Sequence, residues 1–349
     1  MADRRHDLVR NLGASLSRRA GLATLAGAAA SVIGIGDIDA KKKKKKKKKE
    51  KEKRITVCTN GCTYTTLQEA VDASPAGSTI CLKDSTYYGY TSISKSLTIT
   101  PCSETVPVTI AAPQGAARLF DVGFLNDSDQ FLLDGLVPGG LTLDGNGVNP
   151  YSGGVLRFRG TLGSTPGAVL LDNVVINRGN ANVGGGIYAD TTGAVHLTNS
   201  RITSCSASFS GGGIHMVVGE VFMDGTSQID RCNSPRGAGI YLDQEAKLTL
   251  RDSAMIGGTA PEDKNTAYDS PGNGGGIYAE SRTRVNMAST ATIQNNVANN
   301  NGGGIFAEQD DVTMTVSCSN IGPSGNIKDN VATNGSGPQI YITNTSSIC

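Results

Sequence analysis

Tyr188, His215, Tyr241, Tyr278, Phe306 and Tyr341 recur along the chain at intervals of 27, 26, 37, 28 and 35 residues, and two positions further on come Asp190, Val217, Asp243, Glu280 and Glu308. If each interval is one turn of a coil of stacked strands, the rings form one outward column and the acids a second, with a repeat of ~4.8 Å. Rings beside carboxylates can seat an extended polysaccharide, the sugar faces packing on the rings and the hydroxyls donating to the acids. The same rings can instead be a side-chain ladder that braces the stack at ~0.2–1 kcal/mol per pair. The four acids, with His215 close by, can also do general acid–base work. They recur one per turn, however, as a repeat feature does, where a catalytic site would gather them at one place.

Other chemistries are absent from the sequence. The chain holds three histidines, one of them near the amino terminus, so it offers no His-rich zinc site. There is no G-x-S-x-G elbow, P-loop, H-E-x-x-H or calcium-binding nonapeptide run. Neither a cofactor nor a metal site is expected.

The rings must be positioned by what precedes them. The phrases GGGIYAD from Gly184, GGGIHMV from Gly211, GAGIYLD from Gly237, GGGIYAE from Gly274 and GGGIFAE from Gly302, with GPQIYIT from Gly337, place an Ile just before each ring. Strand alternation turns Ile187, Ile214, Ile240, Ile277, Ile305 and Ile340 inward and the rings outward. The glycines mark a corner that needs positive φ or close backbone approach. A second alternating stretch follows at Val195 and Leu197, Val221 and Met223, Leu248 and Leu250, and Val285 and Met287. A third apolar mark stands at Ile202, Ile229, Ile256 and Ile293, with Ile176 and Ile327 in equivalent places. Repeats of this length mean a solenoid, here a three-sided coil. The ten-residue excess between Gly237 and Gly274 contains TAPEDKNTAYDSPGN (259–273), expected to be a loop protruding at the corner before the ring strand.

The Gly-Gly-(Gly/Ala)-Ile phrases, with Ile-x-x-Asn at Ile293 to Asn296 and at Ile327 to Asn330, resemble the repeats of polymorphic outer membrane proteins, within the wider pectin-lyase-like class. The resemblance covers about residues 60–349. It implies an all-β, right-handed, single-stranded parallel β-helix, in a class whose enzymes cleave acidic polysaccharides with clustered carboxylates or with calcium and a basic residue. Two departures are that Ile replaces the family's Phe in Phe-x-x-Asn, and that the repeats run nearly to Cys349 with no membrane barrel after them. The start of the coil fits the class. In YTTLQEAVDASPAGSTICL (64–82), Thr66 and Glu69 form a capping box for a helix with Leu67, Ala70 and Val71 on one face, able to cover the first coil. Less regular strands follow in LTIT (97–100), FLLDG (131–135) and LTLDG (141–145), for roughly ten coils at ~4.8 Å each.

Ahead of the coil, residues 1–40 combine a charged stretch ending in Arg18-Arg19, a Gly/Ala-rich apolar run (20–36) and a small residue at Ala40. They resemble a twin-arginine export signal, the alternative being an amino-terminal membrane anchor. Residues 41–54 hold 12 basic and 2 acidic residues, a self-repelling tether that can also hold the chain to an anionic cell envelope. Residues 1–54 carry 17 Lys/Arg against 6 Asp/Glu and residues 55–349 carry 15 against 25, so the coil domain is acidic and nucleic acid is excluded as a partner.

All eight cysteines lie beyond the Lys run and none forms C-x-x-C, which points to disulfides in an oxidising compartment. Cys205 and Cys232 each stand three residues after an inward Ile, where Asn296 and Asn330 stand in later coils, and are expected to stack and bond. Cys58 with Cys62, Cys81 with Cys102, and Cys318 with Cys349 are the remaining expected pairs. The reading that results is an exported, cell-surface or secreted β-helix, an adhesin or polysaccharide-binding rod. Its rivals are a polysaccharide lyase or glycoside hydrolase and a purely structural rod.

Overall fold

The computed structural model describes residues 55–113, 118–123, 128–147, 152–160, 167–288, 290–308, 311–315 and 325–343. The chain divides after Lys51, and all of these residues belong to the unit from Glu52 to Cys349. The expected signal (1–40), the Lys run (41–54) and the Cys318–Cys349 pair lie outside the described residues.

Short apolar alternations, many of them followed by a residue at positive φ, wind the unit into a parallel β-helix. Among the described residues its strands stack in sheets of 17, 9 and 6. The inward isoleucines fall in register from coil to coil, Ile187 on Ile214, Ile240, Ile277, Ile305 and Ile340. Ile176, Ile202, Ile229, Ile256, Ile293 and Ile327 stack likewise in the second sheet. Together with the Val, Leu and Met columns they make one continuous core. Three sheets make the expected three-sided coil, but the 17-stranded one contains two stacks, so among the described residues the coils from Leu156 on have four strand segments, while the earlier coils, such as Phe120–Gly123, Gln130–Asp134 and Leu141–Asp144, keep the expected three. The two stacks merge in Ile187–Thr198 and Ile214–Asp224, where the chain runs through the shallow corner between them. In the next two coils Glu245 (φ 64) and Arg282 (φ 59) turn at that place and the strand breaks.

The glycine corner has two causes. Gly184 has φ +63, and a Cβ there would stand 2.4 Å from the Ile187 carbonyl oxygen, so the turn itself excludes a side chain. Gly186 has ordinary φ, but a Cβ would meet the Gly213 oxygen of the next coil at 2.7 Å, so here the stacking excludes it. At the opening of the coil, helix α1 (Leu67–Ala73) carries the expected capping box between Thr66 and Glu69 and buries Leu67, Ala70 and Val71.

Cys58–Cys62 and Cys81–Cys102 are disulfides with Cα separations of 5.4 and 5.0 Å, the second tying two successive coils together. The expected Cys205–Cys232 bond is corrected. The two residues stack in adjacent coils beside the register pair Ile202 and Ile229, yet both are free, buried thiols. Side chains at one register position of parallel strands point the same way, so their Cβ atoms keep the ~4.8 Å strand spacing, beyond the ~3.5–4.5 Å a disulfide takes. Each thiol instead donates to the backbone two residues back, Cys205 to Thr203 O at 3.3 Å and Cys232 to Asp230 O at 3.2 Å. Burial and the Cys205 neighbour push the Cys232 thiol well above its ordinary value. The internal row continues through Asn265, Asn296 and Asn330, each amide bonded to the next.

The insertion is also corrected. Ile229 to Asn233 spans four positions and the equivalent Ile256 to Thr266 ten, whereas Asn233 to Gly237 spans four and Thr266 to Gly274 eight. Six of the extra residues therefore sit at the corner between the second and third sheets, in a turn that includes Pro261–Asp263, and four before the ring strand. Between the two parts runs the buried Asn265 and the strand Thr266–Ala267. Buried polar groups of the internal row fix this segment in place, which the loop-like composition of 259–273 conceals.

Candidate functional site

The glycine corner delivers each ring to the outside of the first sheet. Tyr188 pairs in register with His215, then Tyr241, Tyr278, Phe306 and Tyr341. Successive centroids are 5.4, 4.8, 5.1, 4.7 and 5.4 Å apart, at interplanar angles between 11° and 38°. Each ring thus places its faces against its neighbours. Tyr241, Tyr278 and Phe306 are only 3–4% exposed and form an apolar cluster separate from the core. The column stands outside the coil, as alternation requires, but its faces are already occupied.

His215 sits within this stack, its Nδ1 2.8 Å from the Ser210 hydroxyl, and burial pushes its pKa down to about 4. His196 is held at about 4 by burial and by Arg251, with its ring 4.4 Å from that of Phe222. Both imidazoles are neutral at pH 7, which leaves proton chemistry to the carboxylates.

The acids follow the rings. Asp190 is exposed and stands opposite Val218, because a register shift after Ala189 displaces Val217 from the expected place. Asp243, Glu280 and Glu308 are half-buried and come one residue after the register triplet Leu242, Ala279 and Ala307. The Tyr241 hydroxyl donates to Glu280 Oε1. Burial pushes Glu280 up to about 7, helped by a hydrogen bond with Asp243 and by the Asp243 and Glu308 charges, against the Tyr241 hydrogen bond, which lowers it. Burial, the Glu280 hydrogen bond and nearby carboxylates push the Tyr241 phenol up, and burial with Glu308 does the same for Tyr278. Three of the acids, Asp243, Glu280 and Glu308, are therefore neighbours on successive coils, and the charges of the outer two bear on the middle one, while the coil of His215, with Val218 opposite Asp190, separates Asp190 from them. A row of this kind can accept hydrogen bonds from hydroxyl groups, and its middle member can hold or release a proton near neutral pH.

Among the described residues, no group of three or more His, Cys, Asp or Glu could hold a metal ion. The two outward columns continue into earlier coils, where the rings give way to Arg157, Asp121 and Ser92, and Arg159 stands in register with Asp190. Sequence reasoning missed these residues. The signal for them was GGVLRFR (153–159), which aligns with GGGIYAD and puts Arg157 and Arg159 in the two columns. Comparison of the chain with protein-family models, with curated proteins and with solved structures finds no match in any of the three.

Proposed function

We propose that the chain is an exported polysaccharide-binding protein of the cell surface or of the secreted fraction, an adhesin, whose contact edge is the row Asp190, Asp243, Glu280 and Glu308. The observation that carries this reading is the division of labour between the columns. The rings fill one another's faces, while on four of the five coils from Tyr188 to Phe306 an acid stands beside the ring at the solvent boundary. Tyr188, His215, Tyr241, Tyr278 and Phe306 then brace the stack and hold the acids in line. Export is supported by the twin-arginine-like signal and by two disulfides, which accord with an oxidising compartment. The Lys run would add attraction to an anionic envelope. The parallel β-helix supports placing the chain in the pectin-lyase-like class, with repeats like those of polymorphic outer membrane proteins. Retention on a panel of immobilised neutral and acidic polysaccharides tests the proposal: Asp243→Asn with Glu308→Gln should abolish retention of a glycan that the wild type holds.

The Asp243–Glu280 pair favours a second reading, a glycoside hydrolase or polysaccharide lyase. A carboxyl that keeps its proton up to about 7 beside another acid is what a general acid requires. Release of reducing or unsaturated ends from the same panel, lost in Glu280→Gln and falling above about pH 7, would select it. Neither retention nor release by the wild type would leave a structural rod.

A further inference from the structure

The row of acids ends, toward the start of the coil, in a cluster of opposite sign. Asp121 Oδ1 accepts from Arg157 Nε at 3.1 Å. Its Oδ2 accepts from Arg157 Nη2, from Arg159 Nη2 at 3.3 Å and from the Tyr90 hydroxyl at 3.3 Å. Arg118 is 7% exposed and donates through Nη1 to Ser152 O at 2.6 Å. Burial and the Arg157 charge hold the Arg118 guanidinium below its ordinary value, a shift that Asp121 opposes. Burial pushes Asp121 up, yet the Arg157 hydrogen bonds and the surrounding cations keep it below the usual carboxylate range. Two guanidiniums thus bond one carboxylate whose oxygens are both in use, and the Arg118 charge acts on it as well.

An ion pair that serves only the fold is balanced, as Arg178 with Asp144 is in this molecule. Here, among the described residues, three guanidiniums stand against Asp121 and the in-register Asp190, so positive charge is left over, in a domain with 15 basic against 25 acidic residues. Asp190 stands opposite Arg159 in register, but the ion pair that Arg159 forms among the described residues runs to Asp121. Partly buried like charges repel and lose hydration, and an anion would offset both costs. A guanidinium has five N–H donors; Asp121 takes two from Arg157 and one from Arg159. Arg159 and Arg157 keep 53% and 22% of their side chains exposed, within reach of a solute. Two planar forks alternating on one strand suit a carboxylate or sulfate.

We propose that Arg157 and Arg159, with the buried Arg118 charge behind them and Tyr90 at the rim, form a binding site for an oxyanion, the carboxylate or sulfate substituent of an acidic saccharide. The saccharide source rests on the glycan-binding reading, since such a chain would run on from the anion past Asp190 along the acid row. The oxyanion site does not rest on it.

Calorimetric titration of the full chain with sodium glucuronate and with sodium sulfate, at ionic strength held constant with chloride, tests the site. The wild type should show one saturable site, weakened about tenfold or more in Arg159→Gln, as loss of a charge-assisted hydrogen bond implies. Arg282→Gln, which removes an exposed arginine paired with Glu245, should leave the affinity unchanged. Diffuse binding to the Lys run is common to all three proteins and cancels. No saturable site in the wild type, or equal affinities in Arg159→Gln and Arg282→Gln, overturns the proposal. A glucuronate-containing disaccharide that binds more tightly than glucuronate supports the saccharide source, and equal affinity overturns that part. Anion binding without retention of any polysaccharide would sink the glycan reading alone; retention without anion binding would sink the anion site alone.

Discussion

Glu280→Gln should make the protein more stable at pH 8 and leave it unchanged at pH 4. In the wild type, burial and the Asp243 contact raise the Glu280 carboxyl from its ordinary 4.5 to about 7. Below pH 4.5 the group is protonated in the folded and unfolded chains alike, and its full stabilising contribution is present. Between 4.5 and about 7 the unfolded chain releases the proton while the folded chain retains it, so stability falls as pH rises; above about 7 the loss is complete. A displacement of that size has a ceiling of about 3.4 kcal/mol, and half-exposure with solvent screening brings it to ~1–2 kcal/mol. Glutamine keeps an acceptor for the Tyr241 hydroxyl and a donor for Asp243, as the protonated acid does, and has no proton to lose. Urea denaturation of both proteins at several pH values from 4 to 9 measures the difference, and titrations elsewhere in the molecule cancel in it. Parallel pH profiles, or a variant less stable than wild type at pH 8, would refute the raised Glu280 carboxyl.

Tyr278→Leu should cost about 1 kcal/mol through lost ring pairing and Tyr241→Leu more, because it also removes the hydrogen bond to Glu280, both read as a lower urea midpoint, while polysaccharide retention per folded molecule is kept. Asn296 joins Asn265, Asn330 and the Ile256 carbonyl in the interior, so Asn296→Ala should destabilise by ~2–5 kcal/mol as buried polar groups lose partners. Asn296→Cys should cost less, because a thiol there can donate to Gln294 O as Cys205 and Cys232 donate two residues back; equal losses would contradict this view of the row. Replacing Cys81 and Cys102 together by Ser opens a link of sequence separation 21 and should lower stability by about 3 kcal/mol in non-reducing urea denaturation.

The sequence made the fold legible wherever one residue type had a single physical reason to be there. Glycine at 184, 211, 237, 274 and 302 marks a positive φ, isoleucine three places on marks the core, and Thr66 with Glu69 marks a helix start. The inward and outward assignments of Ile187, Tyr188 and their successors follow from alternation alone. Alternation is silent about what meets an outward side chain, and the ring-to-ring stacking and burial of Tyr241 and Tyr278 are set by how successive coils pack. Cα spacing suggested a Cys205–Cys232 bond, whereas the parallel direction of the side chains decided against it. Asp121 and its arginines were hidden because their coils keep the alternation but lose the full glycine phrase, and because the contact joins positions 36 and 38 residues apart.

Retention of the wild type, of Asp243→Asn with Glu308→Gln, and of Tyr241→Leu with Tyr278→Leu on one polysaccharide panel at low salt, each normalised to folded protein, tests the central claim most directly. The account predicts that at least one glycan is held by the wild type and by the leucine variant and is released by the acid-row variant. Loss of retention in the leucine variant with the acid-row variant unaffected would contradict it, and so would a wild type that holds nothing.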